Sequence, residues 1–241
     1  VILRYVFNAL ALTVLTLFWS LVGAVVVLVN RGGSGIGIVA RLWAKTVLVA
    51  CGVTVEVRGL DQTFDEPSYL VMANHTSHFD VISLFGRLPI NMRPVAKREL
   101  GYIPIFGWVL VVGAAIMIDR GDREKAIASI ERAGRAIRGG RSVLMFPEGT
   151  RTPPGALGAL KKGPFHLALS ARVPVLPIGL HGTGSILLPG DWRIHPGRVV
   201  MVVGKPIDTA ASADSDEARD ALMQNVRRDL EALMTRGAGA T

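Results

Sequence analysis

The sequence has 241 residues, enough for one substantial α/β domain and an appendage. Half of it is hydrophobic, only 19% is charged, and the mean hydropathy is +0.40, which is apolar for a soluble domain and points to membrane contact. A single cysteine, Cys51, excludes an internal disulfide and a cysteine metal cluster. The net charge of +8 comes without a lysine-rich tract or interleaved aromatic and basic residues, which argues against nucleic acid.

The charge is uneven. Residues 1–50 hold Arg4, Arg31, Arg41 and Lys45 and no acid, leaving 23 cations against 19 acids in the other 191 residues. An apolar, acid-free N-terminus suits an anionic lipid surface. Residues 5–29 carry no charge, and these 25 residues exceed the roughly 20 that a helix needs to cross a hydrocarbon core. A secretory signal has a shorter apolar region of about 7–15 residues and a small-residue cleavage site, which Arg31-Gly-Gly-Ser34 supplies poorly. A second apolar segment, 38–53, is interrupted by Arg41 and Lys45 and reads as an interfacial helix with its cations reaching to head groups. Residues 1–52 are therefore expected to be a two-helix membrane anchor, either a hairpin within one leaflet or a span followed by a surface helix. In a spanning arrangement the basic flanks put the rest of the chain in the cytoplasm.

From residue 53 to 236 the pattern alternates. Strands are expected at 53–58, 68–73, 92–96, 113–118, 142–146, 173–180 and 197–203, and helices at 122–138 and 163–171. A final helix capped by Asp214 or Asp216 runs to about Met234, and a disordered tail occupies 237–241. Strands alternating with helices predict an α/β domain with a mixed, largely parallel sheet.

The chemistry gathers where apolar strands end. Tyr69 to Ala73 breaks into Asn74-His-Thr-Ser-His-Phe-Asp80 just before a helical pattern, the place where open α/β sheets carry their sites. A neutral imidazole can take a hydroxyl proton, and a carboxylate on its far nitrogen fixes the tautomer. Five residues along one helix would turn the two side chains about 140° apart. His75 is therefore expected in the turn, with Asp80 in the first helical turn folding back to it, and His78 pointing away. Lys97, Asp119-Arg120 and Phe146-Pro-Glu-Gly-Thr-Arg151 also follow strands. If those ends share one sheet edge, His75 and Asp80 stand beside Lys97, Arg120, Glu148 and Arg151. Three cations around a base suit an anionic substrate with a nucleophilic hydroxyl, arginine being favoured for phosphate because its planar fork bonds two oxygens. Strand-end ion pairs of purely structural meaning remain the alternative, as do metal ligation by His75, His78 and Asp80 and a binding protein without activity. No Gly-x-Ser-x-Gly elbow or Gly-x-x-x-x-Gly-Lys-Ser/Thr loop is present, which argues against a serine hydrolase and an NTPase.

Asn74-His75 with Asp80, Ile118-Asp-Arg120, Phe146-Pro-Glu-Gly-Thr-Arg151 and Val173-Pro-Val-Leu-Pro177, in this order and spacing, resemble the four blocks of the glycerolipid acyltransferase family. The closest likeness is to bacterial 1-acyl-sn-glycerol-3-phosphate acyltransferases, and Lys161-Lys-Gly163 resembles the basic turn after the third block. Met117 departs from the commoner aromatic or leucine. The resemblance implies acyl transfer from an acyl thioester, on coenzyme A or acyl carrier protein, to the sn-2 hydroxyl of lysophosphatidic acid, with no metal or organic cofactor. It implies His75 and Asp80 as the catalytic pair and Arg120, Glu148, Gly149 and Arg151 as the phosphate region. Glu148, being an anion, is expected there to orient an arginine or a substrate hydroxyl. Lys97, Lys161 and backbone N–H groups of the His75 turn are candidates for oxyanion or phosphate contact. The expected partners are membrane lipids and the acyl donor, at the cytoplasmic face of a bacterial inner membrane. Glycerol 3-phosphate, another lysophospholipid or a lyso-ornithine lipid are the alternative acceptors.

Overall fold

The computed structural model describes residues 1–29, 35–60, 64–104, 106–112, 115–118, 123–212 and 215–239. Seven strands form one sheet in the order β1-β7-β6-β2-β5-β3-β4: β1 (Val53–Arg58), β2 (Leu70–Ala73), β3 (Met92–Lys97), β4 (Ile116–Ile118), β5 (Ser142–Met145), β6 (Val175–His181) and β7 (Gly197–Val203). All neighbours run parallel except β6 and β7. The centre of the sheet is β6-β2-β5, and every residue of β2 and β5 is buried. The apolar runs that read as strands are continuous because both faces are covered. Tyr69, Val71, Ala73 and Leu144 face one core with α2 and α3, while Leu70, Met72, Val143 and Met145 face the other.

The helices are α1 (Ile2–Val29), α2 (Ile36–Ala50), α3 (His78–Arg87), α4 (Phe106–Val112), α5 (Arg123–Arg138), α6 (Lys162–Ala171), α7 (Thr183–Ile186) and α8 (Asp216–Ala238). α5, α6 and α8 cover the second core through the spacings visible in the sequence, such as Leu222, Val226 and Leu230 of α8. The 3-10 turn Arg98–Tyr102, α4 and α7 were not expected. Two boundaries need correction. Ser215, rather than a neighbouring aspartate, caps α8 by accepting from the Ala218 N–H at 3.2 Å. That helix continues to Ala238, so Gly237 and Ala238 are helical rather than part of a tail; Gly237 is buried against His181.

α1 and α2 pack against each other. Trp19 Nε1–H donates to Thr46 Oγ1 at 2.9 Å and Trp43 Nε1–H to Thr16 Oγ1 at 3.1 Å. Asn8, Ser20 and Gly23 of α1 are buried on this inner side. Its outer side leaves Leu3, Phe7, Leu10, Val14, Leu17 and Leu21 exposed, and on to Leu28. α1 is long and apolar enough to cross a membrane. Its N-terminal part is docked on the domain: Asn8 Nδ2 donates to the Ile194 carbonyl at 2.8 Å, and the Asn8 carbonyl accepts from Cys51 Sγ at 3.8 Å. Cys51 is fully buried and packs in the core.

Candidate active site

The site grows from the end of β2. Asn74 ties that end to β6 with a pair of amide bonds, Nδ2 donating to the Leu180 carbonyl at 2.9 Å and Oδ1 accepting from the Leu180 N–H at 2.7 Å. α3 then starts at Ser77, whose hydroxyl accepts from the Phe79 N–H at 3.2 Å and donates to the Leu187 carbonyl at 2.7 Å. Asp80 is the third helical residue and closes a capping box with the Ser77 N–H. The five-residue spacing thus has a local cause. His75 lies two residues before the cap, and the carboxylate that satisfies the helix start also reaches back to it.

Asp80 Oδ2 accepts from His75 Nδ1 at 2.8 Å, Thr76 N–H at 2.7 Å and Ser77 N–H at 2.8 Å. The buried carboxylate can only accept, so in the neutral ring Nδ1 is the nitrogen that carries the proton. Nε2 then holds the free lone pair. The imidazole stacks on Phe146 with centroids 3.9 Å apart and planes at 15°, and its side chain is 16% exposed. A small reactant therefore has access to a ring that cannot rotate.

Glu148 is 2% exposed, and among the described residues its carboxylate bonds go to backbone N–H groups and a hydroxyl rather than to an arginine. Its Oε1 accepts from the His75 backbone N–H at 2.7 Å, and its Oε2 from Thr152 Oγ1–H and the Gly158 N–H, each at 2.7 Å. The Thr152 N–H donates to the His75 carbonyl at 2.8 Å. Both backbone groups of His75 are thus held by the loop that follows β5. The turn N–H groups expected to contact an oxyanion are engaged as well: His75 gives its N–H to Glu148, and Thr76 and Ser77 give theirs to Asp80.

β2, β3 and β5 are parallel neighbours, so Lys97 and the 146–151 turn share the edge with His75. The Lys97 ammonium pairs with Glu99 at 3.0 Å, and both side chains are more than half exposed, which places this cation at the surface instead of on the imidazole. Gly149 has φ +72°, a conformation only glycine adopts freely, and a Cβ there would lie 3.3 Å from Lys161 Cγ. Lys161 is therefore laid across the turn that carries Arg151. Among the described residues no carboxylate pairs with Arg151. Lys162 opens α6 and lies 3.7 Å from Asp220. Because β5-α6-β6 is a parallel crossover through β2, the N-terminus of α6, which carries no side-chain cap, lies at this same edge, where a helix start favours an anion. His78 is exposed at the start of α3; partial desolvation first, then the positive charge of Arg151 and the neighbouring His75, lower its pKa below the ordinary histidine value. Arg120, with Asp119, lies outside the described residues.

Thr152 was missed, although it directly follows the Phe146–Arg151 motif; Asn74 and Phe146 stood in the quoted motifs without a role of their own. No group of three or more metal-ligating side chains occurs among the described residues.

One nitrogen of the imidazole is fixed by a buried carboxylate and the other is open, at the edge of a mostly parallel sheet and beside Arg151 and Lys161, which no carboxylate pairs among the described residues; such an arrangement can activate a hydroxyl near an anionic group. The sequence matches the acyltransferase family over residues 54–181, more than half of its length and all of the site, and the chain belongs to that family. It is 35% identical over 172 residues to a 1-acyl-sn-glycerol-3-phosphate acyltransferase of Pseudomonas aeruginosa, covering 69% of this chain and 65% of that one. To the chloroplastic enzyme of that name from Brassica napus it is 33% identical over 192 residues, covering 78% and 55%. The chain thus spans between about half and two thirds of the length of these relatives. Its fold is that of the crystal structure of the 1-acyl-sn-glycerophosphate (LPA) acyltransferase PlsC from Thermotoga maritima, with a TM-score of 0.80 over 96% of this chain and 95% of that one at 24% identity.

Proposed function

We propose that the protein moves a fatty acyl group from an acyl thioester, on coenzyme A or acyl carrier protein, to the sn-2 hydroxyl of 1-acylglycerol 3-phosphate, giving phosphatidic acid. The observation that carries this reading is the open Nε2 of an imidazole whose Nδ1 is held by Asp80. Nε2 takes the proton of the acceptor hydroxyl as its oxygen attacks the thioester carbonyl. Asp80 stabilises the imidazolium that forms, and such a base contributes about 10²–10⁴-fold. When the tetrahedral intermediate collapses the C–S bond breaks, and the leaving thiolate, whose conjugate thiol has a pKa of about 8.5, takes the proton back from His75.

Transfer is direct. The hydroxyls next to His75 are engaged, Thr76 with Thr183 and Ser77 with Leu187, and Cys51 is buried in the core with its thiol pushed up to about 11, so among the described residues no nucleophile stands ready for an acyl-enzyme. Arg151, Lys161 and the start of α6 form the phosphate side of the site, with Arg120 assigned there by the family resemblance. Glu148 is a positioning residue. The exposed apolar stripe of α1, docked at its N-terminal part on the domain and along its length on α2, fits a hairpin lying in one leaflet, on the cytoplasmic side of a bacterial inner membrane.

The test is thiol release from acyl-CoA by the solubilised protein and its His75→Ala form, with lysophosphatidic acid, glycerol 3-phosphate or no acceptor. Release that requires lysophosphatidic acid and His75 is expected. Release only with glycerol 3-phosphate would change the acceptor, and release without any acceptor would make the protein a thioesterase.

A further inference from the structure

Outside the site, the most unusual surface is the loop between α7 and β7. It is compact. The His195 N–H donates to the Ile186 carbonyl at 2.9 Å and the Asp191 N–H to the Leu188 carbonyl at 3.1 Å, closing a Pro189-Gly190 turn with Gly190 at φ +82°. Asp191 Oδ1 accepts from the N–H groups of Trp192 and Arg193 at 2.8 and 3.0 Å. The Arg193 guanidinium grips both carboxylate oxygens, with Nη2 at 2.8 Å from Oδ2. Asp191 is the only acid between His181 and Arg198, and this pairing holds its carboxyl well below the usual range. The tip therefore presents no uncompensated negative charge. What it does present is apolar: Leu188 is 49% and Trp192 55% exposed.

A large exposed apolar pair on a rigid loop calls for a partner. Its place identifies one. Trp192 meets the ring of Tyr5 edge-on, with centroids 6.5 Å apart, and Tyr5 in turn packs on His195 at 4.8 Å. Tyr5 lies in the first turns of α1 on the side that faces the domain, one turn before Asn8, so the loop tip flanks the N-terminal end of that helix. Tryptophan and tyrosine are the residues favoured at the head-group level of a bilayer. Arg4, the residue before Tyr5, lies over the ring of the exposed Phe7 and adds a cation to this end of α1.

We infer that the 188–193 loop is a second membrane contact, in which Leu188 and Trp192 enter the bilayer interface beside the N-terminal end of α1. This rests on the reading of α1 as membrane-facing. The consequence for the chemistry follows from connectivity. Leu187 accepts from Ser77, two residues from His75. A cavity of about 190 Å³ separates the loop from Pro154, with Gly184, Leu188 and Arg193 among its walls. Pro154 belongs to the segment that carries Arg151. Docking this loop sets the mouth of the site at head-group depth, so that a lysolipid reaches it from the bilayer without leaving the interface.

The full chain tests this. Leu188→Cys, Phe18→Cys on the outer side of α1, and Glu217→Cys at the exposed start of α8 are each labelled with an environment-sensitive fluorophore, the buried Cys51 staying unlabelled. Each is mixed with phosphatidylethanolamine–phosphatidylglycerol vesicles bearing spin-labelled lipid. Quenching at positions 188 and 18 but not 217 is the expected result. Quenching at 18 alone would overturn the second contact and leave the α1 reading intact, whereas quenching at neither would overturn both. In parallel, Trp192→Asp should raise the apparent KM for vesicle-borne lysophosphatidic acid about fivefold more than that for a short-chain, water-soluble acceptor, the size of effect one interfacial side chain commonly carries. Equal effects on the two acceptors would count against the contact.

Discussion

Replacing Asp80 by asparagine should slow turnover much less than replacing it by alanine, and the geometry gives the size of the gap. One carboxylate oxygen, Oδ2, receives three donors: the His75 ring, Thr76 N–H and Ser77 N–H. The other, Oδ1, is buried without a hydrogen-bond partner among the described residues. An asparagine will put its carbonyl oxygen where Oδ2 was, because the flipped amide would strand three donors at about 1–3 kcal/mol each. The His75 Nδ1–H bond therefore survives, and with it the tautomer that leaves Nε2 free. What is lost is the charge. A hydrogen bond to a charged group contributes about 1.5–3 kcal/mol against about 0.5–1.5 for a neutral one, so the imidazolium formed during the reaction loses about 1–1.5 kcal/mol. That is roughly a 5- to 15-fold fall in kcat. Alanine removes tautomer control altogether, for a loss of about 10²–10⁴-fold, and opens the capping box. The assay is kcat by thiol release for the three proteins, with urea midpoints to confirm that each is folded. A folded Asp80→Asn protein as slow as Asp80→Ala would mean that charge, rather than the turn-imposed tautomer, dominates the role of Asp80.

Other outcomes follow from the same contacts. In Glu148→Gln a single carbonyl oxygen must replace two carboxylate oxygens that serve opposite loops, leaving the amide NH₂ against buried donors. Urea unfolding should show a loss of about 2–3 kcal/mol, with kcat falling more than acceptor KM rises; a pure KM effect at full stability would mean that Glu148 contacts substrate. Arg151→Ala should raise the KM for a phosphorylated acceptor by roughly 10- to 100-fold, the worth of one charge-assisted bond, while an unphosphorylated acceptor such as a monoacylglycerol loses nothing further. The Cys51 thiol, raised to about 11 by burial despite the opposing charge of Arg4, becomes thiolate only as pH rises through that value. At pH 8 the folded protein should therefore react with a disulfide reagent on the order of 100-fold more slowly than a free thiol. Full reactivity should return in urea. Rapid native labelling would mean that the Asn8–Cys51 contact opens in solution.

The sheet was legible because both faces of its central strands are covered, so β2 and β5 appear as unbroken apolar runs. The pairing of His75 with Asp80 was legible for a different reason: it is a helix-capping contact, confined to six consecutive residues. The backbone partners of Glu148 were not legible because the His75 N–H and the Gly158 N–H meet only after β2 and β5 have paired, and nothing local distinguishes a carboxylate aimed at backbone from one aimed at an arginine. The same holds for the turn N–H groups, which look free in the sequence and are taken in the fold. Lys97 followed the strand-end rule for position, but Glu99 two residues on captures its charge. α4 was missed since Phe106–Val112 is apolar throughout and offers no period to read.

The His75 backbone is clamped from both sides by residues 73 to 77 positions further along the chain. Two parallel strands, a connecting helix and a closed loop must all be in place before the imidazole has its working orientation. Contacts of such long range form late, after the loop-closure entropy of the intervening segments has been met. Recovery of turnover during refolding should therefore lag behind recovery of helical signal, and partially folded chains will carry the His–Asp pair without activity. With the lysolipid acceptor proposed above, which is detergent-like, this gives a safeguard of timing: the reactive group is assembled only in molecules whose core is already closed.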